Sequence, residues 1–506
     1  MTRTAKLLVV PVVLLQLCFF LFVARHRLID GDEGFYLLAS RLVLEHKVPY
    51  LDFFYTQAPL LPYVYALWIK FIEVSWISAR VFPGLLTTLM GVLVYLYVCR
   101  ETQKWIGGVA AVILFASSTL VFAWFPIVKT FSVATLFLFC AYVIVSRFSV
   151  TSPRWLIAVA GLLFGLSVDT RSYVVALAPV FLWWIFRNSE TRNRLGHMAW
   201  FLGGFIIGIA PSLYLFFASP DLFMFNNLGY HAMRSDGGLI GGVRSKLHVV
   251  RSVLFGPEDG GFQFAILVII GFVGIFLLRL RRGASLFAFS IALVLGFVSI
   301  LPSPPLVQYY SMCMPFLIVA VVCVVNDYIA SQSKHAKRTL ALACLVLLVG
   351  FIVPSVFSLR RYLVTGWGVI GIKNTSDAPN WTLDRVSAVS RAIDQVALPK
   401  EEIASFWPGY IFESHADPYP GFENNFGFIV APKVTADQRA RYRIIYRPEM
   451  EADFGAHVPR IAVVGNQGIW GGAPRVPACE ALLRLNGYAV SQTIGATSIF
   501  VCCSRQ

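Results

Sequence analysis

The chain has 506 residues, 57% of them hydrophobic and only 14% charged, with a mean hydropathy of +0.70. A soluble globular protein cannot bury that much apolar surface, so the bilayer must act as part of its solvent. The formal net charge of +15 does not point to nucleic acid, because the basic residues lie in short loops without interleaved stacking aromatics.

Apolar runs of about 18 residues, roughly the thickness of a hydrocarbon core, recur through the first two thirds. They give eleven predicted helices, at 7–24, 79–99, 106–124, 130–146, 155–170, 172–186, 198–218, 262–278, 284–301, 306–325 and 339–358. The fifth and sixth are short and joined only by "DTR", so the count can shift by two. The first run lacks a small-x-small cleavage site and reads as an uncleaved anchor. With the N-terminus inside, the pieces "MTRTAK", "RETQKW", "SRFSVTSPR", "RNSETRNRLGH", "RLRRG" and "NDYIASQSKHAKR" carry 15 Lys plus Arg against three acids. The positive-inside bias therefore has one sign at all six loops, and an odd helix count leaves the C-terminus outside.

Directly after the anchor comes "DGDEGFY", Asp30 to Tyr36, with three carboxylates in four residues spaced by glycines. The segment "EGFYLLASRLVLEH" then sets Phe35, Leu38, Ala39, Leu42 and Val43 on one helical stripe, with Glu33, Ser40, Arg41 and Glu45 elsewhere. That pattern predicts a helix lying in the membrane interface. "VPYLDFFYTQAPLLPYVYALWIKF" adds Pro49, Pro59 and Pro62 and a belt of Tyr, Phe and Trp suited to headgroup depth. The first outer loop, 25–77, is thus expected to press onto the outer leaflet. A second outer segment, 219–261, is rich in glycine and mixed charge and reads as a mobile loop of the kind that orders over a ligand.

The last 148 residues, 359–506, carry 15 basic against 13 acidic residues and read as a soluble α/β domain. "EIASFWP" and "RIAVVG" predict buried strands, "ACEALLRLNGY" a helix ending at a glycine cap, and "AVSQTIGATSIFVCC" a terminal strand or hairpin. The glycine pattern in "VVGNQG" is far from a dinucleotide fingerprint. Of nine cysteines, six (18, 99, 140, 313, 323 and 344) fall in or at the ends of spans, where they act as small hydrophobes. Cys502 and Cys503 are adjacent and cannot staple distant segments, and no metal-ligand spacing is present. Asn374 and Asn380 begin N-x-S/T triplets, which matter only in a eukaryotic host.

The order of an anchor, "DE", an amphipathic helix, "PY.DF", "APL.PYVYA" and a second span resembles the polyprenyl-phosphate-sugar glycosyltransferases with the GT-C fold. It resembles in particular the bacterial relatives of protein O-mannosyltransferases, among them the lipid A aminoarabinose transferase and the lipopolysaccharide-core galacturonosyltransferases. "GLLFGLSVDTRSY" and "QYYSMCMPFLIVA" add weaker likenesses, and the whole covers residues 1–358. The resemblance implies a polytopic α-helical membrane protein of GT-C type, the transferase module at 1–358 and the α/β domain at 359–506. It implies a sugar carried on a polyprenyl phosphate, an extracytoplasmic acceptor (lipid, glycan or protein), a single inverting displacement, and a bacterial inner (plasma) membrane. Two departures stand out. "WFPIVKTFSVATLF" has Lys129 where some relatives carry an acid, and Gln308 stands where some carry a cation.

The chemistry needs a base for the acceptor hydroxyl and cations for the departing phosphate. The resemblance puts Asp32 at the family's loop carboxylate, with Glu33 beside it to orient the acceptor or share the role. The outer-face cations Arg171, Lys129, Arg25 and Arg27 are candidates for the donor phosphate, and Asp30, Tyr36, Tyr55, Gln57 and Tyr309 for holding substrate. Each has a plainer reading. Asp30 and Glu33 fit a capping box, Arg171 and Lys129 can snorkel, Arg25 and Arg27 can anchor headgroups, and Asp169 is positioned to pair with Arg171. His231 and His248 read as ordinary loop residues. Asp30 with Asp32 offers a divalent cation two ligands, too few to make a site, so no cofactor is required. The rival function is a transporter or flippase of lipid-linked glycans, which should carry ionisable residues or broken helices at mid-bilayer. A non-catalytic membrane scaffold comes third.

Overall fold

The computed structural model describes residues 2–149, 152–234, 238–256, 259–280, 283–367, 369, 371–372, 374–465 and 476–502. Cys503 and the end of "VVGNQG" lie outside the described residues. Each of the eleven apolar stretches is helical over most of its length. Among the described residues, however, only four helices are long and apolar enough to cross a membrane: Arg3–His26, Trp76–Thr102, Val307–Ser331 and Lys334–Thr365. A fifth counts if Arg194–Gly208 and Ala210–Ala218, bent by 60°, form one span. The predicted span 106–124 is broken at Ser118, whose φ of −68° and ψ of 122° are extended, into Trp105–Ser117 and Thr119–Phe122. The predicted span 172–186 begins as a 3-10 segment, Ser172–Leu177, before Ala178–Asn188.

The chain divides into two compact units. The first comprises Met1–Ala24, Phe82–Pro211 and Gly237–Arg360, and its regular elements among the described residues are all helices. Its tightest pairing joins Arg154–Thr170 to Arg194–Gly208. A Cβ added at Gly161 would lie 1.9 Å from the Phe201 carbonyl oxygen, and one at Gly204 would lie 1.9 Å from that of Ala158. Backbones that close require small residues four apart on both helices, here Gly161 with Gly165 and Gly204 with Gly208. The break at Ser118 is held by Gln263. Its side chain accepts from the Thr119 N–H at 2.8 Å and donates to the carbonyls of Ser117 and Phe351. One buried amide thus satisfies groups that the interrupted helix leaves open.

The second unit comprises Arg25–Val81, Ser212–Asp236 and Arg361–Gln506. These boundaries divide the chain differently from 1–358 and 359–506, because the first outer loop packs within the same unit as the tail. At its centre is a five-stranded sheet of order β2-β1-β3-β5-β4, with β1 Glu402–Ser405, β2 Asp417–Pro418, β3 Ile461–Val464, β4 Ala489–Ile494 and β5 Thr497–Val501. β1 pairs parallel with β2 and β3, while β5 runs antiparallel to β3 and β4. All four β3 residues are buried, as a continuous apolar run predicts. The expected hairpin closes at Gly495, and the expected glycine after the helix Val476–Leu485 is Gly487, at φ +80°.

Two expectations change. The helix Glu33–Leu44 is buried on every face through its first ten residues, Ser40 and Arg41 included. The tail covers the polar stripe that the sequence assigns to water. Arg41 uses its guanidinium to donate to the carbonyls of Ile411 and Ser414 at 2.7 Å, to that of Ala416 at 2.6 Å, and to Asp417 at 2.8 Å. The stretch 219–261 is not a loop but largely helical, through Pro220–Met224, Phe225–Gly229, Tyr230–Met233 and Gly238–Phe255. Its last helix buries Val249 and Val253, one turn apart, which outweighs the helix-weakening glycines at its start.

Candidate active-site residues

In the second unit the three acids of "DGDEGFY" have different fates. Asp30 and Glu33 are fully buried. Glu33 pairs with Arg80 through both guanidinium nitrogens Nε and Nη2, the second at 2.7 Å, and its Oε1 accepts from the Asp30 N–H at 2.8 Å. Asp30 Oδ1 accepts from the Asp32 N–H at 3.1 Å, and Arg80 Nη1 donates to the Arg27 carbonyl at 3.2 Å. Only half of the expected capping box forms: the Glu33 carboxylate accepts from the Asp30 N–H, but the Asp30 side chain takes the Asp32 N–H and the helix starts two residues later than that box requires. Asp32 occupies the N-cap position of Glu33–Leu44 without a side-chain cap bond, and it is the one acid of the three that is only half-buried.

Arg25 and Arg27, candidates for the donor phosphate, are engaged within this unit. Arg25 holds Asp384 at 2.8 and 3.1 Å. Arg27 is buried, donates to the Leu28 carbonyl at 2.7 Å and lies 5.2 Å from the Tyr362 ring centroid. Burial pulls its pKa down, against the opposing fields of Asp30 and Glu33. Tyr36 and Tyr55 share an aromatic nest with Phe35, Tyr36 lying 4.1 Å from Phe35 and 6.4 Å from Tyr55 between centroids. The Tyr55 hydroxyl is buried with no hydrogen-bond partner among the described residues. The Gln57 carbonyl accepts from the Tyr50 hydroxyl at 2.5 Å, and His231 Nε2 lies 3.0 Å from the Thr56 carbonyl, which fixes that turn of chain.

In the first unit the cations gather at one helix start. Lys129, 2% exposed, is the N-cap residue of Thr130–Ser146, and its Nζ donates to Gln308 Oε1 at 2.7 Å while lying 5.0 Å from the Trp124 ring. Arg171 follows the end of Arg154–Thr170, where the backbone turns extended at φ −150°, ψ 98°. Its guanidinium lies 4.6 Å from Phe131, 4.7 Å from Tyr173 and 4.6 Å from Tyr309, and Nη1 donates to Thr130 Oγ1 at 2.5 Å. Asp169 is buried in the last turn before it. The 3-10 segment Val307–Cys313 delivers both Gln308 and Tyr309. Two cations and the amides opening a helix of 17 residues therefore share one neighbourhood, an arrangement suited to an anion.

Sequence reasoning missed Arg80 and Arg41. The signal for Arg80 was an arginine inside "WISARVFPG", at the start of an apolar run. For Arg41 the local signal was only its i,i+4 partner Glu45, since its other acceptors lie about 370 residues away.

A family profile described as dolichyl-phosphate-mannose-protein mannosyltransferase matches residues 56–215. The matched segment covers 160 of the 506 residues, so the likeness to this family of membrane glycosyltransferases extends over about a third of the chain. Among solved structures the chain is similar to ArnT from Cupriavidus metallidurans bound to undecaprenyl phosphate, with a TM-score of 0.63 at 16% identity over 99% of this chain and 98% of that one. The same enzyme in its apo state matches with a TM-score of 0.63 at 16% identity over 98% of each chain. No curated protein matches the chain by sequence.

Proposed function

We propose that this protein transfers a sugar from a polyprenyl-phosphate donor to a hydroxyl acceptor on the extracytoplasmic face, with inversion and with Asp32 as general base. The carrying observation is the division of labour within "DGDEGFY". Asp30 and Glu33 are fully buried, Glu33 against Arg80, whereas Asp32, at the N-cap position, is half-buried and so reaches the solvent side from which an acceptor arrives.

The acceptor oxygen forms its bond to the anomeric carbon as its proton passes to the Asp32 carboxylate. The bond from that carbon to the phosphate oxygen breaks, and its electron pair leaves with the polyprenyl phosphate. A phosphodiester with one negative charge becomes a monoester with up to two, so cations contribute most as the bond breaks. Arg171 and Lys129, at the start of Thr130–Ser146, are suited to that charge. Glu33 orients the loop through Arg80. Tyr36, Tyr55, Gln57 and Tyr309 are candidates for sugar or phosphate contact, and the buried Tyr55 hydroxyl supports this for Tyr55. The displacement needs no cofactor. ArnT bound to undecaprenyl phosphate shares the fold, which supports a lipid-phosphate donor here.

The positive-inside bias supports an inner-membrane protein with a cytoplasmic N-terminus and an outward-facing tail. The second reading, a flippase of lipid-linked glycans, is favoured by the buried Lys129 and Arg171 and by the broken helices. Mass spectrometry of envelope glycolipids and glycoproteins with and without the chain separates the two. A transferase removes one sugar from one acceptor when deleted, whereas accumulation of a whole lipid-linked glycan with normal acceptors overturns the proposal.

A further inference from the structure

We infer that Trp407, in the C-terminal tail, is the positioning residue for Asp32, and that holding the acid loop is a function of the tail. The inference rests on Asp32 being the base. Trp407 is fully buried, and its indole Nε1 donates to the Gly31 carbonyl at 2.8 Å, one residue before Asp32. Two residues after Asp32, the backbone of Gly34 lies against the same ring. An added Cβ there would sit 2.7 Å from Trp407 Cε2 and 2.7 Å from the Gly409 nitrogen. The glycines flanking Asp32 and Glu33 therefore bring the main chain onto an indole, a contact any larger residue at 34 would break.

The indole is itself held. Trp76 stacks on it at 5.7 Å and 16°, Trp381 meets it at 5.8 Å and 60°, and Tyr410 at 4.9 Å and 78°. The Ser405 hydroxyl, at the end of β1, donates to the Trp407 carbonyl at 2.7 Å, which ties the residue to the sheet. The loop meets the tail at two further backbone points, Leu28 N–H to the Tyr362 carbonyl at 3.0 Å and Ile29 N–H to the Trp381 carbonyl at 2.7 Å. Three bonds from the loop main chain to the tail thus precede Asp32, and the four tail acceptors of Arg41 fix the helix that follows it. A carboxylate that must meet one hydroxyl depends on such support, since misplacement by about 1 Å costs on the order of 100-fold.

The test is Trp407→Phe in the full-length protein, which keeps an aromatic ring but removes the donor to Gly31 together with part of the ring that lies against Gly34. We expect kcat to fall about 10- to 100-fold with KM for the donor unchanged, and faster amide exchange confined to residues 28–36. In the Asp32→Asn background the same change should cost nothing further. Trp76→Phe, whose indole nitrogen has no partner among the described residues, should give a smaller loss of kcat in the same direction and keeps the test usable if Trp407→Phe does not accumulate. An unchanged kcat per folded Trp407→Phe molecule overturns the inference, as does a loss that persists in full without Asp32. Full turnover by Asp32→Asn alone overturns instead the reading on which it rests.

Discussion

Glu33 and Arg80, 47 positions apart, form an ion pair in which neither side chain reaches solvent. Breaking one partner of such a pair leaves an uncompensated buried charge and costs about 3–5 kcal/mol, whereas removing both costs far less. Arg80→Met should therefore destabilise the protein severely, and Arg80→Met with Glu33→Gln should recover most of the loss. Thermal unfolding of the single and double variants in detergent checks this. If the double variant is as unstable as the sum of the singles, the pair is not a coupled unit.

Asp32→Asn keeps the size of the side chain and removes the proton acceptor. Transfer should fall about 10²- to 10⁴-fold, with expression and donor binding unchanged, because the half-buried side chain keeps its size and Asn suits an N-cap position as well as Asp does. The check is single-turnover transfer alongside equilibrium donor binding. Near-normal turnover would remove Asp32 from the base role.

Arg171 separates charge from shape. Its planar guanidinium lies against three aromatic rings and reaches Thr130, a geometry an ammonium does not reproduce. Arg171→Ala should weaken donor engagement roughly 10- to 100-fold, the worth of a charge-assisted hydrogen bond. Arg171→Lys should recover only part of it. Donor titrations measure both, and unchanged donor affinity in Arg171→Ala would reduce the residue to an anchor.

Glu423 gives the second unit a pH signature. Burial pushes its carboxyl from 4.5 up to about 7, more than the backbone N–H groups of Glu423 and Gly421, and then Lys47 and Arg443, draw it down. A folded pKa above the unfolded one means that the folded state holds the proton more tightly. Its stabilising contribution is therefore complete below about pH 4.5 and is lost as pH rises through about 7. Glu423→Gln should abolish that component, so the variant gains on the wild type as pH rises from 5 to 7.5. Thermal unfolding across that range reads the difference, and parallel curves for the two proteins would refute the assignment.

Much of the local structure was legible from the chain alone. The run "RIAVVG" gave β3 because a strand buried on both faces reads as an uninterrupted apolar run, and "ACEALLRLNGY" gave its helix and glycine stop. The clustering of three acids in the first loop was legible, but the full burial of Asp30 and Glu33 was not. The length of the spans was less legible. Hydropathy counts residues and is blind to the extended Ser118 that breaks one predicted helix, or to the 60° bend after Gly208.

What the sequence determined by itself was therefore what depends on neighbours a few residues away: helical period, turns, caps, charge bias along the chain, and which carboxylates cluster. What only the tertiary structure decided was the fate of each acid and the covering of the Glu33–Leu44 helix. Those outcomes hang on Arg80, Arg41 and Trp407, whose contacts span 47 to 376 positions. Periodicity reports which face of a helix is polar, but it cannot say whether water or a distant arginine's acceptors meet that face. Folding alone brings those groups together, and the burial that follows sets Asp30 and Glu33 apart from the half-buried Asp32.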